Sequence, residues 1–112
     1  MIQVVAIIEA KPGLLAEVLD AFRENIPAVH AEEGCIEYTA FIDTNSYGAQ
    51  TAYGDDAFVV IEKWASPAAL SAHARSPHMI AYAEQVKEKI ARRTIHLLEA
   101  VFPKNDQWVK TL

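Results

Sequence analysis

The stretch Phe58-Val59-Val60-Ile61-Glu62-Lys63-Trp64-Ala65-Ser66-Pro67-Ala68-Ala69-Leu70-Ser71-Ala72-His73, followed by Ser76-Pro77-His78, decides how the rest of the chain is read. Its opening is rich in β-branched and aromatic residues, which predicts a strand over 58–64. Ser66 then has the chemistry of an N-cap, and Pro67 suits a first helical position. Ser76-Pro77 repeats that signal, so the helical region comes in two pieces, 67–74 and 77–90. The stretch brings one carboxylate, one indole and two imidazoles toward a single corner of an apolar chain.

On the N-terminal side, residues 2–9 are rich in Val and Ile and read as a strand. Lys11-Pro12-Gly13 is a turn. Leu15, Val18, Leu19, Phe22, Ile26 and Val29 then recur at helical spacing over 14–31, with Pro27 expected to kink or end the regular part. Glu33-Gly34 stops this helix, and a second strand covers 35–42. A polar loop with Gly48 and Gly54 leads to the quoted strand. A fourth strand is expected over 92–101, and residues 102–112 read as a tail whose Trp108 and Val109 could dock.

The order βαββαβ is the ferredoxin-like α+β plan, with one domain over 1–101 and an antiparallel sheet. Right-handed crossovers put the helices on one side of that sheet. The other side would stay bare, yet Val5, Ile7, Val59 and Ile61 are apolar where a wetted face should be polar. Leaving about five such side chains in water forfeits several kcal/mol at ~25 cal/mol per Å2. The expected remedy is a homodimer joined through the helix-free faces.

Composition narrows the function. The 112 residues carry a formal net charge of -5, which removes the electrostatic footprint of a nucleic-acid binder. No apolar run approaches the ~20 residues of a membrane span. Residues 1–8 lack a basic region and a cleavage site, so they read as strand and not as a signal peptide. Cys35 is the single cysteine, which fits a reducing cytoplasm.

Few side chains suit chemistry. Glu62 shares a strand face with Phe58, Val60 and Trp64, so it must be paired, hydrogen-bonded or protonated; Arg75, Arg92 and Arg93 are available partners. Trp64 is either a core aromatic or a wall for a flat ligand. His73 follows Leu70 by one turn and points inward, either as a satisfied core histidine or as a general base. His78 lies in the first turn of the next helix, where a neutral imidazole is favoured, and Tyr82 continues its stripe. His73 and His78 are about 140° apart around an ideal helix, unlike the i, i+4 pair of a zinc helix, and His30, His96 and Cys35 add no ligand spacing. No metal is expected, and the scattered glycines form neither a dinucleotide nor a phosphate loop.

Taken together, Glu33-Gly34-Cys35 before Tyr38, Ile61-Glu62-Lys63-Trp64, Ala69-Leu70 with Ala72-His73, and Ser76-Pro77-His78-Met79 with Ala81-Tyr82 resemble the antibiotic biosynthesis monooxygenase family. The resemblance covers residues 1–101 and is closest to the small quinol monooxygenases within that family. It implies a dimeric α+β barrel and oxidation of a quinol or polycyclic phenol by O2 without metal, flavin or haem. On that resemblance His73 takes the phenolic proton, with Glu62 and Trp64 completing the catalytic group. Trp64, Tyr38, Phe41 and Tyr82 hold the rings, and Glu62 and His78 orient the base or substrate oxygens. Haem-degrading relatives are similar in fold. Here His73 falls where their tryptophan belongs, and Ala83 where their haem-ligating histidine belongs, so haem is not implied. Two other readings remain open. One is an isomerase or lyase on a small signalling metabolite, which needs Lys63, Arg75 or Lys11 at the site. The other is a non-catalytic dimer that binds aromatic ligands.

Overall fold

A computed structural model describes residues 1–48 and 50–103. The elements are β1 (Ile2–Ala10), α1 (Leu15–His30), β2 (Cys35–Phe41), β3 (Ala57–Trp64), α2 (Pro67–Ala74), α3 (Pro77–Val86) and β4 (Ile90–Leu98), with a 3-10 turn at Lys87–Lys89. The strands form one antiparallel sheet in the order β2-β3-β1-β4. This is the expected ferredoxin-like α+β arrangement.

Period-two alternation decides what each face carries. Val4, Ala6 and Ile8 of β1 and Phe58, Val60, Glu62 and Trp64 of β3 are buried beneath the helices. They pack with Val18, Ala21, Phe22 and Val29 of α1. Val5, Ile7, Val59 and Ile61 alternate with them and are only half-buried on the helix-free side. A concavity of about 300 Å3 opens there, lined in part by Val5, Phe41, Val59, Ile61, Ile42 and Tyr53. No helix among the described residues is long and apolar enough to cross a membrane.

Both proposed caps are in place. The Ser66 side chain accepts from Ala69 N at 3.1 Å, and the Ser76 side chain from Met79 N at 3.3 Å. Boundaries differ where local chemistry was ambiguous. Pro27 sits inside α1, which continues to His30, because a proline in the last turn costs a single backbone donor. The helical region after Ser76 ends at Val86 and not at 90, and β4 begins at Ile90. Lys11 N bonds Lys89 O at 2.9 Å, and Ala10 pairs with Ile90 beyond a register shift, so the β1 edge claims residues with helical propensity. Trp108 and Val109, read as a docking tail, lie outside the described residues.

Candidate active site

β3 delivers the first two groups. Glu62 and Trp64 point the same way, and Trp64 Nε1 donates to Glu62 Oε1 at 2.9 Å. None of Arg75, Arg92 and Arg93 is in an ion pair with Glu62; the indole takes that place, and Arg93 acts only as a nearby charge. Trp64 has 0% of its surface exposed.

α2 starts directly after β3 and lays His73 over the indole. The two rings lie 4.4 Å apart between centroids, and His73 is 4% exposed. His73 Nε2 faces Glu62 Oε1 at 3.9 Å. Its other nitrogen, Nδ1, meets Glu32 Oε2 at 2.8 Å. The same carboxylate oxygen receives His78 Nε2 at 2.7 Å.

Glu32 reaches this position because of Gly34. The β2–β3 register pairs Cys35 with Trp64, so the turn after α1 lies against the start of α2. Gly34 has φ +84, and a Cβ there would stand 2.6 Å from Ala69 Cβ. Only glycine allows the left-handed backbone and the close approach together. Ala65 N bonds Gly34 O at 2.8 Å and locks the turn to β3.

The break between α2 and α3 completes the group. Ser76 Oγ donates to His73 O at 2.8 Å and accepts from Met79 N. Its one hydrogen is therefore committed, so its 3.2 Å contact to His78 Nε2 has the imidazole as donor. His78 thus carries its proton on Nε2 and shares it between Ser76 and Glu32. A carboxylate only accepts, so His73 donates from Nδ1. In neutral His73 the lone pair is then on Nε2, facing inward toward Glu62.

Burial dominates the electrostatics. It pushes the Glu62 carboxyl above its ordinary value, with the Glu32 charge pushing the same way; the Trp64 N–H, His73 and Arg93 pull it back. Burial likewise raises the Tyr38 phenol, with Glu62 as the next cause, and pushes the Tyr82 phenol up to about 12. The Cys35 thiol is raised by burial, then by Glu32 and Glu62. Tyr38 touches the histidine edge-on at 5.6 Å and stacks on Phe22 at 4.9 Å. Tyr82 meets Phe22 edge-on at 6.2 Å.

Glu62, Trp64, His73, His78, Tyr38 and Tyr82 thus share the helix side of the sheet. Phe41 does not join them. Tyr38 pairs with Glu62, whereas Phe41 pairs with Val59 on the opposite, helix-free face. Lys63 is on that face too, 3.8 Å from Glu37, and Lys11 is exposed in its turn, so neither reaches His73. Arg75, whose Nε donates to Ser71 O, borders an outer concavity of about 450 Å3 that also meets Glu32 and Ser76. Sequence reasoning missed Glu32. Its signal was positional: it precedes Gly34 in the turn opposite Ala65. The rings of Trp64 and His73 pack 4.4 Å apart between centroids and leave no room for a flat ligand between them.

The arrangement holds His73 in one orientation between two carboxylates. The largely covered Glu32 carboxylate holds one imidazole nitrogen of His73, and the other faces Glu62 at 3.9 Å among aromatic rings. Residues 1–85 match the sequence profile described as Antibiotic biosynthesis monooxygenase. The chain is 38% identical over 101 residues to the protein named Probable quinol monooxygenase YgiN of Escherichia coli, covering 88% of this chain and 97% of that one. A solved antibiotic biosynthesis monooxygenase superposes with a TM-score of 0.76 at 27% identity, covering 90% of this chain and 99% of the other. The Mycobacterium tuberculosis protein Rv0793 shares the fold at 24% identity and a TM-score of 0.75, over 89% of this chain and 94% of its own. With the profile spanning most of the chain and such a relative matched nearly end to end, this protein belongs to the antibiotic biosynthesis monooxygenase family.

Proposed function

We propose that this monooxygenase oxidises a small quinol or polycyclic phenol with O2, and that His73 is its general base. The observation that carries the proposal is the Glu32–His73 contact at 2.8 Å, which leaves the lone pair of neutral His73 on Nε2, beside Trp64 and Tyr38 and 3.9 Å from Glu62. The relative's quinol monooxygenase name agrees with that reading.

The reaction follows from the base. His73 Nε2 takes the phenolic proton, and the phenolate passes one electron to O2. Superoxide and the phenoxyl radical combine at a ring carbon that bears hydrogen, forming a C–O bond. The peroxide oxygen recovers the proton from His73. Nε2 then removes the carbon-bound proton while the O–O bond breaks, and the departing hydroxide leaves as water. One oxygen atom ends as a ring carbonyl and the other in water, so the substrate supplies every electron. Trp64 and Glu62 hold His73 in place. Tyr82 lines the approach and His78 steadies Glu32.

Substrate must enter where the helical layer is thin. Ile95 and Leu97 of β4 pair with Ala6 and Val4 and so stand on the helix side, yet they are 45% and 62% exposed. The Arg93 charge on the same strand reaches both Tyr82 and Glu62. A flat ring laid between Tyr82 and this edge would cover Ile95 and Leu97. Two copies are proposed to pack through Val5, Ile7, Phe41, Val59 and Ile61, which places Phe41 in a subunit contact and not in the pocket.

Oxygen uptake by chelator-treated protein with a panel of hydroquinones tests the proposal. Turnover that disappears in His73→Ala, with circular dichroism and mass in solution unchanged, is expected. Quinone binding with no oxygen uptake would make the protein a ligand carrier and overturn the oxidation; full activity in His73→Ala would overturn the base.

A further inference from the structure

Glu32 lies in the turn after α1, His73 in α2 and His78 in α3, yet one ligand atom of each lies within 4.8 Å of the other two. We propose that this triad binds a divalent ion of the zinc class, and that the bound ion switches His73 into the tautomer that is not a base. The binding stands on geometry alone; the consequence for catalysis rests on the reading of His73 as the base.

Two imidazole nitrogens and one carboxylate oxygen are a donor set that suits zinc and neighbouring borderline ions. Bond lengths of about 2.0–2.2 Å place ligand atoms roughly 3.3 Å apart around a tetrahedral ion. Here the carboxylate oxygen is 2.8 Å from His73 Nδ1 and 2.7 Å from His78 Nε2. The oxygen has only to draw back by about half an ångström while the imidazoles close in. The side chains that must move have room, since His78 is 26% and Glu32 13% exposed. The outer concavity beside Glu32, Glu33, Ser76 and Pro77 lets water reach the remaining coordination position. Arg75 at its rim opposes a cation, and Glu33 favours one.

The groups that would steady the ligands are already in place. An ion on Nδ1 forces the proton of neutral His73 onto Nε2. That nitrogen faces Glu62 Oε1 at 3.9 Å, and Glu62 is itself fixed by the Trp64 N–H. A histidine with metal on one nitrogen and a carboxylate at the other is the usual outer arrangement of such sites. The same move removes the inward lone pair, so ion binding and proton abstraction at Nε2 exclude each other.

Titration calorimetry of the chelator-stripped 112-residue chain with Zn2+ tests the site, and long-range 1H–15N spectra read the tautomer. One equivalent should bind. His78→Gln, at a side chain that is 26% exposed, should weaken binding at least 10-fold, and Glu62→Gln should weaken it by roughly 10-fold through its hold on His73. His30→Gln, His96→Gln and Cys35→Ser should leave it unchanged. Cobalt in place of zinc should show the visible bands of a nitrogen–oxygen site, lost in His78→Gln. His73 should pass from the Nδ1–H to the Nε2–H form on loading. No saturable binding, or equal binding by His78→Gln, overturns the site; an unchanged His73 tautomer overturns the switch. None of these readings uses a quinol, so a chain that fails to oxidise quinols still shows whether the ion binds.

Discussion

Replacing Glu32 by glutamine keeps the shape of the site and removes one charge. The amide oxygen can occupy the position from which Oε2 accepts His73 Nδ1 at 2.8 Å and His78 Nε2 at 2.7 Å, so both bonds survive in neutral form. What is lost is the partner of the imidazolium that appears when His73 takes a proton. At a charge separation of ~4 Å and an effective dielectric near 20, that pairing is worth about 4 kcal/mol. Screening is small, because the His73 and Glu32 side chains are 6% and 13% exposed. Glu62, 3.9 Å from Nε2, supplies part of the missing charge. The expected fall in kcat is therefore roughly 100- to 1000-fold at about 1.36 kcal/mol per tenfold. KM should change little, since Glu32 lies on the far side of the imidazole from Nε2. An oxygen electrode with a hydroquinone gives both constants, and circular dichroism checks the fold. Glu32→Asp, which restores the charge at a longer reach, should recover part of the rate. A kcat within threefold of the parent, a loss confined to KM, or an aspartate variant no better than glutamine would refute the orienting role.

Gly34→Ala should cost about 1–2 kcal/mol for its left-handed backbone and about 1–3 kcal/mol for the 2.6 Å approach to Ala69, measured by urea unfolding. Adding Ala69→Gly should relieve only the second part, and a total loss below about 0.5 kcal/mol would contradict the close packing. Glu62→Gln should raise the melting temperature at neutral pH. The raised carboxyl of Glu62 makes the folded state lose stability as pH climbs above the ordinary value of 4.5, where the unfolded chain ionises first; the advantage of the glutamine should vanish at or below that pH. Ile61→Asp should drive the protein to single subunits in sedimentation, because a charge on the helix-free face cannot be buried against a second copy. A parent protein that sediments as one subunit would refute that interface.

Much of this site is legible in simple periodicities. Alternation along β3 puts Glu62 and Trp64 on the face of Phe58 and Val60, and one helical turn from Leu70 brings His73 inward. Two serine–proline pairs mark the start of α2 and α3. Phe41 fails on the same alternation: it is an odd number of residues from Tyr38 and so turns the other way. Glu32 was beyond such rules, because its contacts with His73 and His78 span 41 and 46 residues. No local spacing encodes a contact of that length. It becomes visible only after the β2–β3 register is fixed, when the turn before Cys35 must pass the turn after Trp64.

The bonds that orient His73 are also the bonds that end one helix and begin the next. Ser76 closes α2 through His73 O, caps α3 through Met79 N and accepts the His78 proton. Glu32 then ties both histidines to the turn after α1. Removing any one of these groups leaves a buried or half-buried donor without its partner, at roughly 1–3 kcal/mol. The break in the helix is thus the device that turns two imidazoles toward one carboxylate. A continuous helix from Pro67 to Val86 would hold His73 and His78 about 140° apart and could not bring both to Glu32. The placing of both imidazoles and the helix break at this corner rest on the same atoms. A substitution that straightens the corner should therefore cost the base its orientation before it costs the sheet its core.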